Sequence, residues 1–397
     1  MDIFGSDKNV AIVLGCHING LGIIRSLGQN GIPVLGLDCE KSIGLSSKYC
    51  YPMPCPNPLL DKEGFIDFFK AVVKKFKKKP VLFPTKDEWL IAISEYRREL
   101  EEYCFYPMSD WDVIRKCVDK KLMYKEAEKI GIPIPKTVII NDEMKFDDEM
   151  LDELEYPIII KGAIPSQFLQ GFKIKTILLR DRSELDKWIK DNYEILRNKS
   201  INALIQEVIP GDVSNLYTFS SYSNTNANIV AFSIIQKTIQ EPPDFGTIVV
   251  GQVIRIPEII ELGTQIIKGM GFYGLSNTEF KYDSKDGKYK LMEINPRSGK
   301  SIYYTTMCGV NQPYLAYSEA IGEKIEFQEP LEGDYGKEWI VLPEYFLCKL
   351  KDIIRGKKRK ILRNKSKKIY AVCSFNDPIP GLLLIYEILA LAVKKVI

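Results

Sequence analysis

Histidine is almost absent. The 397-residue chain has one, His17, so neither a Ser-His-Asp triad nor a histidine-based metal site can be built. Its nine cysteines (16, 39, 50, 55, 104, 117, 308, 348 and 373) form no Cys-x-x-Cys pair. Zinc sites and disulfide frameworks need tighter spacing, so the cysteines read as reduced, mostly buried thiols. Long apolar runs are also lacking. The longest, from Leu382 to Val393, is broken by Glu387 and is too short to span a bilayer. The N-terminal MDIFGSDKNV has no apolar signal-peptide core. These absences predict a cytoplasmic protein. Charge of one sign is scarce too. The net charge of +3 points to no strong class of partner, and no nucleic acid is expected.

What charge there is lies unevenly. The stretch Lys349 to Lys368 has eleven Lys or Arg against one acid, Asp352. Its +10, in a chain of net +3, leaves the remainder at −7. The segment and the apolar terminal helix could rest on an anionic membrane face or bind an anionic precursor. The plainer expectation is a solvated lid helix followed by a core-packed final helix.

At 397 residues the chain suits two or three domains, and 45% apolar residues can fill their cores. Val10 to Leu14 reads as a strand, Gly15 to Gly20 as a turn, Leu21 to Gln29 as a helix and Pro33 to Asp38 as a second strand. Strand, Gly-rich turn, helix, strand is the βαβ unit of a parallel sheet. The turn lacks the G-x-G-x-x-G spacing. It could hold a small anion at the helix N-terminus or be only a tight turn. Another strand, Val81 to Pro84, precedes helices near Asp87 and over Asp110 to Cys117. A helix over Asp119 to Ile130 ends at Gly131, and Ile132-Pro-Ile-Pro-Lys-Thr137 is extended. Strands follow over 156–162, 173–180, 203–208, 216–222, 229–236 and 248–255, then a helix over 258–270. Tyr273–Lys281 and Tyr289–Asn295 form a hairpin about Asp283-Ser-Lys-Asp-Gly287.

The hairpin carries the chemistry. Alternate residues of a strand share a face, so Glu293 points with Asn295, and Asn277 with Glu279. Met292 and Ile294 then belong to the packed face. Glu279 beside Glu293 would be repulsive without a cation between them. Two carboxylates and an amide are oxygen ligands of the kind Mg²⁺ prefers. Singly, each residue reads as ordinary surface polarity; together they do not.

Glu293-Ile-Asn-Pro-Arg297, preceded by Asn277-Thr-Glu-Phe280, resembles the metal-binding end of ATP-grasp enzymes. Among these are the D-aspartate ligases and the large subunit of carbamoyl phosphate synthetase. Asp119-Lys120, Tyr156-Pro-Ile-Ile-Ile-Lys161 and Gln206-Glu-Val-Ile-Pro-Gly-Asp212 fall in the order of that family. The resemblance runs from about residue 8 to 325. It implies mixed α/β and α+β architecture: a Rossmann-like pre-ATP-grasp domain over 1–118, then a two-lobed ATP-grasp domain over 119–325. The small lobe would span about 135–208 and the large lobe about 209–325. The basic region 326–397 would complete or cap the latter.

By the same resemblance, Glu279, Glu293 and Asn295 would hold Mg²⁺, or Mn²⁺ in its place. Lys120 and Lys161 would neutralise ATP phosphates. The Glu207 carbonyl and Ile209 N–H would bind adenine, with Val208 as an apolar wall. Asp212 would bind ribose or serve only its Pro-Gly-Asp turn. Arg297 would clamp the transferred phosphoryl group. Where relatives carry a glycine-rich flap, residues 162–171 have glycine only at the ends, so Lys173 and Lys175 could reach the phosphates instead. His17 could touch a substrate carboxylate or, preferably, cap its turn.

The implied activity is ATP-dependent joining of a carboxylate to an amine through an acyl phosphate, which needs no nucleophilic side chain. The implied partners are an amino acid and an amine- or carboxylate-bearing precursor, in a protein that could be a homodimer. The tail segments Trp339-Ile-Val-Leu-Pro343 and Ser374-Phe-Asn-Asp-Pro-Ile-Pro380 favour D-aspartate-ligase-like proteins of the cell envelope. Alternatives are a free dipeptide ligase, a carbamate-forming enzyme and a nucleotide-binding module without turnover.

Overall fold

A computed structural model describes residues 2–140, 148–243, 246–354, 356 and 367–394. Strands β1 (Ala11–Leu14), β2 (Val34–Asp38), β3 (Cys50–Pro54) and β4 (Val81–Pro84) form a parallel sheet in the order β3-β2-β1-β4. Ile12 and Leu14 enter one apolar cluster, Ala11 and Val13 another. Burial on both faces explains why β1 is continuously apolar rather than alternating. The first crossover helix, Ile18–Gly28, starts three residues earlier than the sequence reading placed it. β3 was not foreseen, because Pro52 and Pro54 argue against a strand. It lies at the sheet edge, where a missing N–H costs no ladder bond.

A second sheet is antiparallel. β5 (Thr137–Ile140), β6 (Ile158–Gly162), β7 (Thr176–Leu179) and β8 (Ala203–Glu207) lie in the order β5-β8-β6-β7. Part of the expected flap is a helix, Pro165–Phe172, with proline in its first turn and Phe168 fully buried. The strand expected over 173–180 is accordingly reduced to Thr176–Leu179.

The largest sheet has seven strands: β9 (Leu216–Ser223), β10 (Ile229–Glu241), β11 (Thr247–Ile254), β12 (Gly274–Asp283), β13 (Lys288–Asn295), β14 (Glu338–Ile340) and β15 (Lys368–Tyr370). Their order is β13-β12-β9-β10-β11-β14-β15. Helices Lys120–Ile130 and Pro257–Gly269 share one core with it: Met123, Tyr124 and Ala127 meet Phe219, Ile266 and Leu291 there. Asp119 starts the first of these helices by accepting the Lys121 N–H at 2.9 Å, and Gly131, at φ 82°, ends it.

The C-terminal region joins this sheet through β14 and β15, which pair in parallel. It is also tied to the first domain. Arg25, wholly buried, donates to Asp377 Oδ2 at 2.9 Å and to the Val372 carbonyl at 2.7 Å. The Lys48 N–H and Ser47 hydroxyl donate to the same carboxylate. The final helix, Pro378–Lys394, is not core-packed as expected over its described side chains, residues 378–387. Leu384 contacts an apolar cluster, but Ile379, Leu382, Leu383 and Tyr386 are exposed. Of the basic stretch, residue 355 and residues 357–366 lie outside the described residues.

Candidate functional site

The hairpin register puts Glu279 opposite Glu293 and Asn277 opposite Asn295. The next pair is Phe280 with Leu291, so Met292 is skipped. That β-bulge corrects the simple alternation: Leu291 and Ile294 enter the core and Met292 does not. The Met292 carbonyl instead accepts the Tyr124 hydroxyl at 2.8 Å.

Facing carboxylates repel, and here two lysines offset the repulsion. Lys120 Nζ donates to Glu293 Oε2 at 2.8 Å, and Lys237 Nζ to Glu279 Oε2 at 2.7 Å. The charge of Lys120 holds the Glu293 carboxyl well below the usual carboxylate range, against the opposing effect of burial. Burial works against the Lys120 ammonium too, but Glu293 and Tyr124 leave it above its ordinary value. Asn295 Nδ2 donates to Glu293 Oε1 at 3.0 Å. Arg297 Nη2 lies 3.4 Å from Asn295 Oδ1, and its Nε donates to Asp87 Oδ1 at 2.6 Å. Glu293, Asn295 and Arg297 thus form one connected network, and Glu279, bonded to Lys237, faces it across the hairpin.

Lys161, next to last in β6, has its Nζ 3.0 Å from the Tyr124 hydroxyl and 5.3 Å from the ring centre. Burial lowers its pKa, and the like charge of Lys120 adds to that. Two ammonium groups, Lys120 and Lys161, therefore share a confined space beside the acids. Such an arrangement is costly unless anionic oxygens complete it.

The donor set fits a hard divalent cation: oxygens of Glu279 and Glu293 with the amide oxygen of Asn295. Among the described residues no group of three or more His, Cys, Asp or Glu could hold a metal. The expected set has two carboxylates and takes its third oxygen from an amide.

At the other expected contact, β8 ends at Glu207, whose N–H donates to the Lys136 carbonyl at 3.1 Å. The Val208 N–H donates to the Pro157 carbonyl at 3.2 Å. The Ile209 N–H has no partner among the described residues. The Ile209 carbonyl accepts Lys281 Nζ at 2.7 Å, and burial lowers the pKa of that lysine. Asp212 caps a short turn by accepting the Ser214 N–H at 2.8 Å, and its hydrogen bonds to Ser214 lower its pKa. Its turn role is thereby present whatever else it binds. Lys175 is exposed, and Lys173, also exposed, sits in the left-handed region at φ 61°.

The first turn is already satisfied in part. Gly15 adopts φ 85°, and the Cys16 N–H donates to Asp38 Oδ2 at 2.6 Å. His17 occupies the N-cap position of its helix but makes no side-chain cap bond, correcting the capping expectation. Its ring instead lies 3.2 Å from Glu40 Oε2.

Lys237, Tyr124, Asp87 and Lys281 were missed in the sequence. For Lys237 a signal was available: it stands in β10 between Ile235 and Ile239 and is buried, the same pattern that singles out Lys161. Asp87 and Tyr124 carry no local mark, since each acts on a residue distant in sequence.

Comparison with known proteins bears on the fold and the family likeness. Residues 246–338 match the family described as ATP-grasp in the biosynthetic pathway with Ter operon. The chain is 28% identical to D-aspartate ligase of Enterococcus faecium over 370 residues, covering 87% of this chain and 85% of that protein. It is 21% identical to the carbamoyl phosphate synthase large chain, C-terminal section, of Methanopyrus kandleri, over 57% of this chain and 43% of that protein. It thus spans less than half of the latter. The crystal structure of an ADP complex of N5-carboxyaminoimidazole ribonucleotide synthetase superposes with a TM-score of 0.64 at 14% identity, covering 92% of this chain and 93% of that one. That likeness is one of fold. The expected ATP-grasp architecture and the resemblance to both enzyme groups hold, and they support an ATP-dependent ligase that forms C–N bonds.

Proposed function

We propose that this chain, which has the ATP-grasp fold, is a carboxylate–amine ligase that joins an amino acid to a cell-envelope precursor. One observation carries the reading. Glu279 and Glu293 face each other across a hairpin, each paired with a lysine, next to Asn295, Arg297 and Lys161. In this reading the site lies between residues 119–208 and the seven-stranded sheet, with residues 1–118 contributing Asp87.

Glu279, Glu293 and Asn295 would hold Mg²⁺, or Mn²⁺, which supplies positive charge to the phosphate oxygens. Lys120 and Lys161 neutralise the remaining phosphate charge as compact ammonium groups. Arg297, bonded to Asp87, would exchange that carboxylate for the oxygens of an acyl phosphate. The hinge reads adenine through the Glu207 carbonyl and the Ile209 N–H, with Val208 against the ring and Asp212 near the ribose. Lys175 reaches over the phosphates. The carboxylate substrate takes the γ-phosphoryl group and ADP leaves. The amine then attacks the acyl carbon, and phosphate departs with formation of the amide. Positioning and charge neutralisation suffice for both steps. The whole would work as a cytoplasmic enzyme and as a homodimer.

The test is ADP release with a panel of D- and L-amino acids, with and without hydroxylamine as a trap. Carboxylate-dependent ADP release yielding a hydroxamate is expected. ADP release that depends on bicarbonate would instead indicate carbamate chemistry. Tight ATP binding without turnover under every mixture would indicate a nucleotide-binding module.

A further inference from the structure

Tyr124 holds a core position that needs only a ring. It is buried in the apolar cluster with Met123, Phe219 and Leu291. Phenylalanine has the same ring, so the hydroxyl calls for its own account. That hydroxyl has two partners. It donates to the Met292 carbonyl at 2.8 Å and accepts from Lys161 Nζ at 3.0 Å. The first bond commits its one proton, which leaves a lone pair for the ammonium. Met292 is the residue that β12 does not match, so the bulge supplies the acceptor that sets the direction of the hydroxyl. Lys161 has no other hydrogen-bond acceptor among the described residues. Burial opposes its charge, and Tyr124 is first among the groups that offset this. The helix Lys120–Ile130 joins the arrangement to the second lysine. Lys120 and Tyr124 are four residues apart and lie on one face. Lys120 Nζ donates to Glu293, the residue after Met292. One helical turn therefore spaces the two ammonium groups, one carried directly and the other held through the phenol.

We propose that Tyr124 is a positioning residue for the nucleotide: its hydroxyl, oriented by the bulged Met292 carbonyl, holds the Lys161 ammonium in register with Lys120, so that both meet one chain of phosphates. The restraint opposes a real force, because like charges in a confined site push apart. Tyr124 acts through Lys161 and touches neither substrate nor reacting atoms. The contact between the Lys161 ammonium and the Tyr124 ring survives replacement of tyrosine by phenylalanine, so that single change isolates the hydroxyl. The inference rests on the reading of Lys161 as a phosphate-binding lysine, and its test separates the two.

The test is calorimetry of the full chain with MgATP and with adenosine, for the wild type, Tyr124→Phe, Lys161→Met and the double variant. Tyr124→Phe should weaken MgATP binding about tenfold, the loss of one hydrogen bond to a charged group. Adenosine has no phosphates, and its affinity should stay within about twofold of the wild type. In the Lys161→Met background the same change should add less than about twofold to the loss, because the hydroxyl acts through the ammonium. Loss of the bond to Met292 is read separately, as a fall in melting temperature of similar size in both backgrounds. Three results overturn the positioning role. One is wild-type MgATP affinity in Tyr124→Phe beside a weakened Lys161→Met, which leaves the phosphate reading standing. Another is an equal loss of MgATP affinity in both backgrounds. The third is a matching loss of adenosine affinity, the mark of a purely structural tyrosine. Wild-type MgATP affinity in Lys161→Met removes the phosphate reading and the inference with it.

Discussion

The two ends of the candidate nucleotide cleft are built on opposite plans. The phosphate end is made of side-chain charge: two acids, each already bonded to a lysine, with Arg297 bonded to Asp87. The hinge end is made of backbone, where Glu207 and Val208 spend their N–H groups on neighbouring carbonyls and Ile209 keeps its own free of described partners. The difference teaches what each end can tolerate. A charged network fails when one member is replaced, because its partner is left uncompensated in a confined site. A backbone contact survives most side-chain changes.

That contrast can be broken by substitution. Glu293→Gln should give the largest effect, a loss of about 10²- to 10³-fold in ATP turnover measured as ADP release. Near-normal rates would remove Glu293 from the site. Lys161→Met should come next, lowering kcat/KM for ATP by roughly 10²-fold with the far-UV spectrum unchanged. Its pH dependence sharpens the point. Burial lowers the pKa of Lys161, so the ammonium is present at lower pH and is lost before the ordinary lysine range is reached. ATP affinity measured by calorimetry should therefore fall as pH rises toward about 10, with proton uptake on binding. Lys161→Arg, which stays charged, should flatten that fall. Asp212→Ala should be smallest. It removes a cap worth about 1 kcal/mol, and KM for ATP should change only a few-fold. A large loss there would mean that the hinge depends on side-chain charge as heavily as the phosphate end, and the contrast would collapse.

The same contrast governs what was legible in the sequence. Glu279 against Glu293 could be read from alternation and a short turn, because both acids lie on strands joined by that turn. The bulge at Met292 could not, since a skipped residue follows from how β12 and β13 pair, not from local composition. The parallel βαβ start was readable from Val10 to Asp38. β3 was hidden by its prolines, and the helix Pro165–Phe172 by an expected flap. Lys237 was within reach, as a lone cation in an apolar strand. Asp87 lies 210 residues from Arg297 in sequence, and only the tertiary fold pairs them. The core-packed final helix was wrong for a related reason: hydrophobicity alone does not say whether a partner face exists, and here Leu382 and Tyr386 have none among the described residues.

One bond described above bears on how the chain is made. Arg25 is enclosed without water access, and its guanidinium is satisfied by atoms of residues 371, 372 and 377. A ribosome delivers Arg25 some 350 residues before Asp377, so the cation on the opening helix must wait, hydrated, until residues 371–377 have emerged. Emergence of residues 371–377 is then the event that lets Arg25 be enclosed, and a chain stopped short of residue 371 would leave that cation without these partners.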